Sequence, residues 1–582
     1  FEGGGHWYNT LLESYGGAPL TLDHCIFQNS RVHGLRLRGV SPDVLHCTFR
    51  ENSGDAVRLE STSEGGASYP RFENSVFEGT SRVHITGDVH SSGTLTAAPY
   101  YISGSTGEVL IDVEMNIASG STFTIADWAS WTIRGNLIVA GTSASPVQFT
   151  SESGAGLGNP WGAVRLLGGS GRSSQFDHCR FEGGGHWYET LVDLDQPSDV
   201  TFNDCAFLLS TAYGLRLRSA SPSLTRCRFA DNGNAIRLDS SLDNGASFPI
   251  IRATVFEGDE RIHLRGDVHS SGTLSEAPYL FDSGTGVVSA MAEVTVEPGT
   301  TFNIADFYSW TVHGNLLAQG TAEKPILFTS LSGATDGNPW GAIRITNNDG
   351  NGEQRLSHLD YCVFEGGGHW YATLLQVFGK APASVKRSIF RHSRADGVRF
   401  DERSGGQISQ TTFANNGGHG LWLKSSSPSI EGCTFQGNGQ GAIALLSTPE
   451  SGASFPVYAG NVYGDNDRIE IASAIHSSGS LRNPGNAYFI RTTQEILAST
   501  HVQIETGTTV EFGDFAGLVV RGSLAAQGSS ASPITFTSDD VVKGPGQWAG
   551  LIFTGDRTET SHLQHCQVEG GGHWYGALVE VS

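Results

Sequence analysis

The sequence has little positive charge: Lys and Arg together number 36, and only five are Lys (Lys324, Lys380, Lys386, Lys424, Lys543) against 59 acidic residues. A net charge of −23 excludes nucleic acid as a natural partner and leaves cations, neutral sugars or other proteins. No run of 18 apolar residues occurs, so no helical membrane span is encoded. There is no CxxC pair among the eight cysteines, which argues against zinc knuckles and thioredoxin-type chemistry. No segment keeps a sustained helical period. No signal peptide is visible, and since Phe1 is not a translational start, any export signal is expected to have been removed or to lie outside this sequence.

What the sequence does contain is repetition. The octapeptide Phe1-Glu2-Gly3-Gly4-Gly5-His6-Trp7-Tyr8 returns at Phe181–Tyr188 and Phe364–Tyr371, and as Val568–Tyr575. The starts are 180, 183 and 204 residues apart, which divides the chain into tandem units 1–180, 181–363 and 364–567 and the start of a fourth, 568–582. Repetition of one apparatus suits structural and multivalent binding proteins better than enzymes.

Inside each unit runs a shorter period. Phe27 and Phe49 are 22 residues apart, as are Phe207 and Phe229, and Phe390, Phe413 and Phe435 are spaced by 23 and 22. Between them lie alternating strands such as Gly34-Leu35-Arg36-Leu37-Arg38, a Ser41-Pro42 turn and Cys47-Thr48-Phe49, then Asn52. Several short strands in about 22 residues describe one coil of a β-solenoid. The longer third unit fits one added coil, Gly420 to Asn438, while the LxxLxLxxN pattern of a leucine-rich repeat is missing. The cysteines, mostly in Cys-x-Phe, read as small buried free thiols on inward strand faces.

These coils resemble the right-handed parallel β-helix repeats of the pectin-lyase-like superfold. A more specific passage is Gly135 to Thr142, Pro146, Phe149-Thr150-Ser151 and Trp161-Gly162-Ala163. It recurs from Gly314 to Trp340-Gly341-Ala342 and from Gly522 to Trp548, and it is similar to a passage of secreted and surface-anchored bacterial β-helix proteins. The resemblance implies an all-β, right-handed parallel β-helix rod, one continuous solenoid, located extracellularly or at the cell surface. It does not fix the activity, since the superfold hosts lyases, hydrolases, adhesins and scaffolds.

Three groups of residues are candidates for function. Alignment of the coils stacks Glu13, Arg36 and Arg58, then Asp193, Arg216 and Arg237, then Gln376, Arg399, Trp422 and Ala444. These should face solvent as a ladder of offset charges, the alternative being a groove whose Arg forks hold an anionic sugar. The second group is His6, Trp7, Tyr8, His186, Trp187, Tyr188, His369, Trp370, Tyr371, His573, Trp574 and Tyr575. If exposed, these loops offer a platform to a sugar ring or a neighbouring chain; otherwise they are packed corners, or a thin Glu–His metal site. Third, Gly-Asp-Val-His at Gly87–His90 and Gly266–His269 loses its acid in Ser473–His476. With Lys scarce and no coil departing from the outward column, a carbohydrate-active lyase or hydrolase is the secondary expectation and a structural filament, sheath, stalk or adhesin shaft the first. The expected partners are further copies of the chain, end to end and laterally, with glycan or surface proteins beside them. No cofactor is expected, calcium being the one ion left open.

Overall fold

A single coil of this chain is too thin to bury its own apolar side chains, so its inward residues are covered by the coils stacked next to it. The computed structural model describes all residues except 18, 157–159, 170, 197–198, 334–338, 347–354, 465–467, 555–559 and 575. Among the described residues there are short strands joined by turns, and no helix. One coil runs through strands His33–Arg38, Asp43–Leu45 and Thr48–Arg50 before the next begins at Val57–Glu60. Each strand pairs in parallel with its counterpart one coil on: Leu35 lies opposite Val57, Val44 opposite Phe72, and Phe49 opposite Phe77. The remainder of the coil serves as the crossover that parallel pairing requires. The expected all-β parallel solenoid is the observed fold.

The chain forms two compact units, Phe1–His269 with Ala277–Tyr279, and Ser270–Glu276 with Leu280–Ser582. In the first, Phe149, Phe181, Phe207, Phe229 and Phe256 lie one above another in register, all on the third strand of their coils. Their ring centroids are 4.7, 5.3, 4.7 and 5.5 Å apart and the ring planes nearly parallel. The second unit holds an equivalent stack of Phe328, Phe364, Phe390, Phe413 and Phe435. Strands spaced by about 4.8 Å bring identical side chains to stacking distance, so one residue type serves every coil. In the third repeat the first strand of the coil occurs at Thr373–Phe378, Asp396–Asp401, His419–Lys424, Gly441–Leu446 and Ile469–Ile471. Leu421 keeps its place between Val398 and Ile443, so the insertion of a whole coil leaves the register intact.

Between the second and third strands of many coils one residue takes a left-handed conformation, as at His24, His46 and Asn74 (φ 53°, 51° and 49°) and at Asp204, Arg226 and Ala253 (φ 54°, 52° and 50°). The next residue is a Cys, Ser or Thr pointing inward. Cys205 Sγ reaches the carbonyl of Phe176 at 3.3 Å, Cys227 Sγ that of Phe202 at 3.4 Å, and Ser75 Oγ that of Val44 at 2.9 Å, in each case one coil back. Many of these groups also accept: the Cys47 N–H donates to Ser75 Oγ at 3.2 Å and the Cys227 N–H to Thr254 Oγ1 at 3.3 Å. The position therefore requires a small side chain that bonds to the neighbouring coils, more than the apolar filler expected from Cys-x-Phe. All eight thiols are free, but Cys25 and Cys566 are only half-buried, contrary to the expectation that all are enclosed. They lie in the first and last described coils, where one neighbour covers them instead of two. Burial pushes the Cys433 thiol up to about 11 and raises Cys47 and Cys205 as well, which suppresses the reactive thiolate.

Thiol labelling of the native chain should therefore modify Cys25 and Cys566 and spare the other six, which react only after denaturation. Rapid native labelling of Cys205, Cys227 or Cys362 would contradict this packing.

Candidate functional site

Each glycine of the repeated Glu-Gly-Gly-Gly-His has its own reason to be glycine. The first and third have positive φ, 75° and 102° at Gly183 and Gly185, 74° and 96° at Gly366 and Gly368, and 77° and 95° at Gly570 and Gly572. The middle one lies against an indole: a Cβ on Gly184 would come within 2.6 Å of Trp161, on Gly367 within 2.6 Å of Trp340, and on Gly571 within 2.8 Å of Trp548. Those three Trp are fully buried. Their Nε1–H groups donate to the carbonyls of Glu182, Glu365 and Glu569 at 2.9, 2.8 and 2.8 Å. Their own carbonyls accept the N–H of His186, His369 and His573 at 3.1 Å in all three copies. The Trp-Gly motif and the triple-glycine motif, separate in the sequence, thus form one clasp between successive coils.

Beyond the clasp the side chains emerge into solvent. Trp7 is 86% exposed, Trp187 66%, Trp370 68% and Trp574 67%, so the loops are not packed corners. Each Trp meets its preceding His edge to face, with centroids 4.4, 4.5 and 4.7 Å apart at His186–Trp187, His369–Trp370 and His573–Trp574, and 5.0 Å apart at His6–Trp7. A third exposed ring joins three of these clusters. Trp128 lies 6.1 Å from His186, Phe307 4.5 Å from His369, and Phe515 4.4 Å from His573. These rings stand on left-handed turns at φ 64°, 64° and 63°. Their N–H groups bond to Pro160, Pro339 and Gln547, each the residue just before the clasping Trp. Sequence reasoning missed this third ring; its signal was Asp127-Trp128, Asp306-Phe307 and Asp514-Phe515 at one phase of the long repeat.

The tyrosines behave differently. Arg165 stacks on Tyr188 at 4.2 Å and Arg344 on Tyr371 at 4.0 Å, drawing both away from the exposed rings into half-buried positions. Tyr8 is exposed, and Tyr575 lies outside the described residues. The motif carboxylates turn aside: Glu2 accepts from Asn29, Glu182 from Arg180, Glu365 from Arg391 and Glu569 from Thr537. The Glu–His pair is therefore not assembled as a metal site. Among the described residues one trio with metal-ligand spacing occurs, Asp23, His24 and His46, exposed on a different turn.

The outward column is in the register the sequence implied: Glu13, Arg36 and Arg58; Asp193, Arg216 and Arg237; Gln376, Arg399, Trp422 and Ala444. The Arg forks are occupied as a ladder of offset charges requires, Arg36 by Glu60 through two 3.0 Å bonds and Arg216 by Asp239 at 2.8 Å. The column differs from expectation in two ways. Asp193 and Ala444 do not face solvent but are fully buried, and burial raises the Asp193 carboxyl despite Arg218, Arg216 and Arg165 beside it. Second, the column continues into His84, His263 and Glu470, each 26 residues further on. These coils carry an extra turn closed by the bridges Thr62–Gly66, Ser241–Gly245 and Thr448–Gly452, which hid the alignment. At this point titratable groups cluster beside the column: His33 and Asp55 next to its His84 in the first repeat, Asp396 and His419 next to its Glu470 in the third.

His419 is buried, and burial disfavours its charged form. The Asp396 carboxylate 3.6 Å from Nδ1 and the Glu470 hydrogen bond at 3.2 Å outweigh that and raise its pKa above the ordinary 6.5. A raised folded-state value stabilises the protein below 6.5 and loses that contribution as pH climbs through the raised value. His419→Gln should therefore cost roughly 1–3 kcal/mol at pH 6 and distinctly less at pH 9, by chemical denaturation. A penalty equal at both pH values would contradict a charged imidazole here.

Residues 373–454 match the family model described as a right handed beta helix region. Among solved structures, the catalytic unit of a thermostable GH87 alpha-1,3-glucanase from Streptomyces thermodiastaticus strain HF3-3 is similar at 14% identity and a TM-score of 0.21, the match covering 66% of this chain and 64% of that one. This chain thus spans less than two thirds of that structure's length. No curated protein matches the sequence. With its strands paired in parallel coil upon coil, the chain is a right-handed parallel β-helix.

Proposed function

We propose that this is an extracellular structural repeat protein, a filament, stalk or adhesin shaft, whose aromatic platforms make repeated contacts with glycan. The observation that carries the reading is the recurrence of one exposed cluster, His186–Trp187–Trp128, His369–Trp370–Phe307 and His573–Trp574–Phe515, on the same backbone clasp. Large aromatic rings left in solvent at a defined geometry mark contact surfaces. The flat apolar face of a Trp suits the C–H face of a pyranose ring, and the neighbouring imidazole supplies a hydrogen bond to a hydroxyl. A single platform of this size binds weakly. Several on one chain raise the overall affinity through effective concentration, which is a reason to repeat them.

Charge supports the same choice of partner. At a net charge of −23 the chain is repelled by polyanions, which favours neutral glycan. The Arg residues that would otherwise recruit uronic acids, Arg36, Arg216 and Arg391, are committed to Glu60, Asp239 and Glu365. Lateral association with further copies of the chain through the same rings is the second use open to the platforms.

Replacement of Trp7, Trp187, Trp370 and Trp574 by Ala should leave the fold intact, because these side chains are mostly in solvent. It should reduce co-sedimentation with insoluble neutral polysaccharide by at least tenfold, about 1.4 kcal/mol or more in summed affinity. Undiminished co-sedimentation would remove the platforms from the binding surface.

A further inference from the structure

The cluster beside the column in the first repeat has a specific chemical order. We infer that Asp55, His84 and Ser103 form an acyl-transfer site that hydrolyses carboxylic esters. Asp55 ends the turn before strand Val57–Glu60, His84 lies on Val83–Val89, and Ser103 follows Pro99–Ile102, so three successive stretches of the solenoid contribute one residue each. Asp55 Oδ2 is 2.8 Å from His84 Nδ1, and His84 Nε2 is 2.8 Å from Ser103 Oγ. A carboxylate on Nδ1 places the ring proton there and leaves Nε2 unprotonated toward the hydroxyl, the arrangement of a general base serving a nucleophile.

The surroundings suit the assignment. Asp55 and His84 are buried, Ser103 is half-buried, and Gly104 and Ser105 beside it are exposed, so the hydroxyl can be reached from solvent. Arg82 Nε and His33 Nδ1 flank the Asp55 carboxylate at 3.5 and 3.4 Å. Burial alone would raise the Asp55 carboxyl, yet the His84 hydrogen bond and the nearby cations hold it below the usual range, so it stays ionised. The Ser105 N–H donates to Ser103 Oγ at 3.1 Å, and Ser105 Oγ lies 2.9 Å from the same atom and 3.3 Å from His84 Nε2. Once Oγ bonds to a carbonyl carbon, the new oxyanion lies one bond beyond, within reach of both Ser105 donors.

A purely structural polar stack would not need this combination. At the corresponding positions the second repeat has Asn234, His263 and Asp282, and the third has Gly441, Glu470 and Arg491. His263 there points Nδ1 at the Tyr213 hydroxyl, 3.0 Å away. The solenoid thus accepts unrelated side chains at these places, and acid, imidazole and hydroxyl come together in one repeat.

In the reaction, His84 Nε2 takes the Ser103 proton as Oγ bonds to the ester carbonyl carbon. Collapse of the tetrahedral species breaks the ester C–O bond, and the alcohol departs with that proton. Water then attacks the acyl-serine and gives a proton to His84; the acid leaves as Ser103 Oγ recovers it. Because Ser103 stands at the surface, the fitting substrate class is a small acyl ester carried on the outside of a larger molecule.

The test is labelling of the intact chain with a fluorophosphonate, read by intact mass and peptide mapping, alongside hydrolysis of 4-nitrophenyl acetate. One adduct at Ser103 is expected, absent from Ser103→Ala, which loses only a hydroxyl and should melt like the parent. His84→Gln and Asp55→Asn should slow labelling at least hundredfold, with Asp55→Glu restoring part of the rate, a rescue that lost folding would not give. No adduct on the parent chain, an adduct that persists in Ser103→Ala, or a rate indifferent to His84→Gln overturns the assignment.

Discussion

The whole structure depends on one constraint: successive coils must stack in register at the spacing of paired strands, about 4.8 Å. Any side chain that points inward is then roofed and floored by the residues at the same position one coil away. The Phe stacks, with centroids near 5 Å, are the direct outcome. So is the column of Cys, Ser and Thr, where groups such as Cys205 and Ser75 bond to a carbonyl of the coil behind. Because the constraint is local and repeated, the added coil of the third repeat disturbs neither column.

The same constraint leaves the exterior free to vary, and there the chain departs from uniformity. At one phase of the long repeat, a buried Trp fits against a glycine that has no room for a side chain, and the two neighbouring glycines take conformations other residues resist. This clasp fixes the direction in which His and Trp leave the surface. The Trp128, Phe307 and Phe515 turns are bonded to the residue before the clasping Trp, so the third ring follows the clasp as well. A platform built on backbone hydrogen bonds of this kind is presented with little conformational freedom to lose on binding.

Much of the fold was legible in the sequence because its signals are periodic. The 22-residue spacing of Phe, the turn residues and the alignment of Glu13, Arg36 and Arg58 correspond to neighbours in the solenoid. What escaped notice depends on contacts between coils of unequal length. The 26-residue coils displaced His84, His263 and Glu470 from the aligned column, so the cluster around Asp55 could not be seen. The meaning of Cys-x-Phe was half visible: burial follows from strand alternation, but the hydrogen bond to the previous coil does not. Asp193 read as a solvated acid because an outward strand position does not reveal that Arg165 and Arg218 cover it.

One set of Trp locks the clasp while another set, held by it, stands in solvent. Of the eleven Trp, Trp131, Trp161, Trp310, Trp340 and Trp548 are fully buried, whereas Trp7, Trp128, Trp187, Trp370 and Trp574 are exposed. Acrylamide quenching of Trp fluorescence, with and without a soluble neutral oligosaccharide, tests this most directly. The account predicts two populations of comparable size, with sugar shielding only the accessible, red-shifted one. A single population, or an accessible one that saturating sugar leaves unprotected, would contradict it.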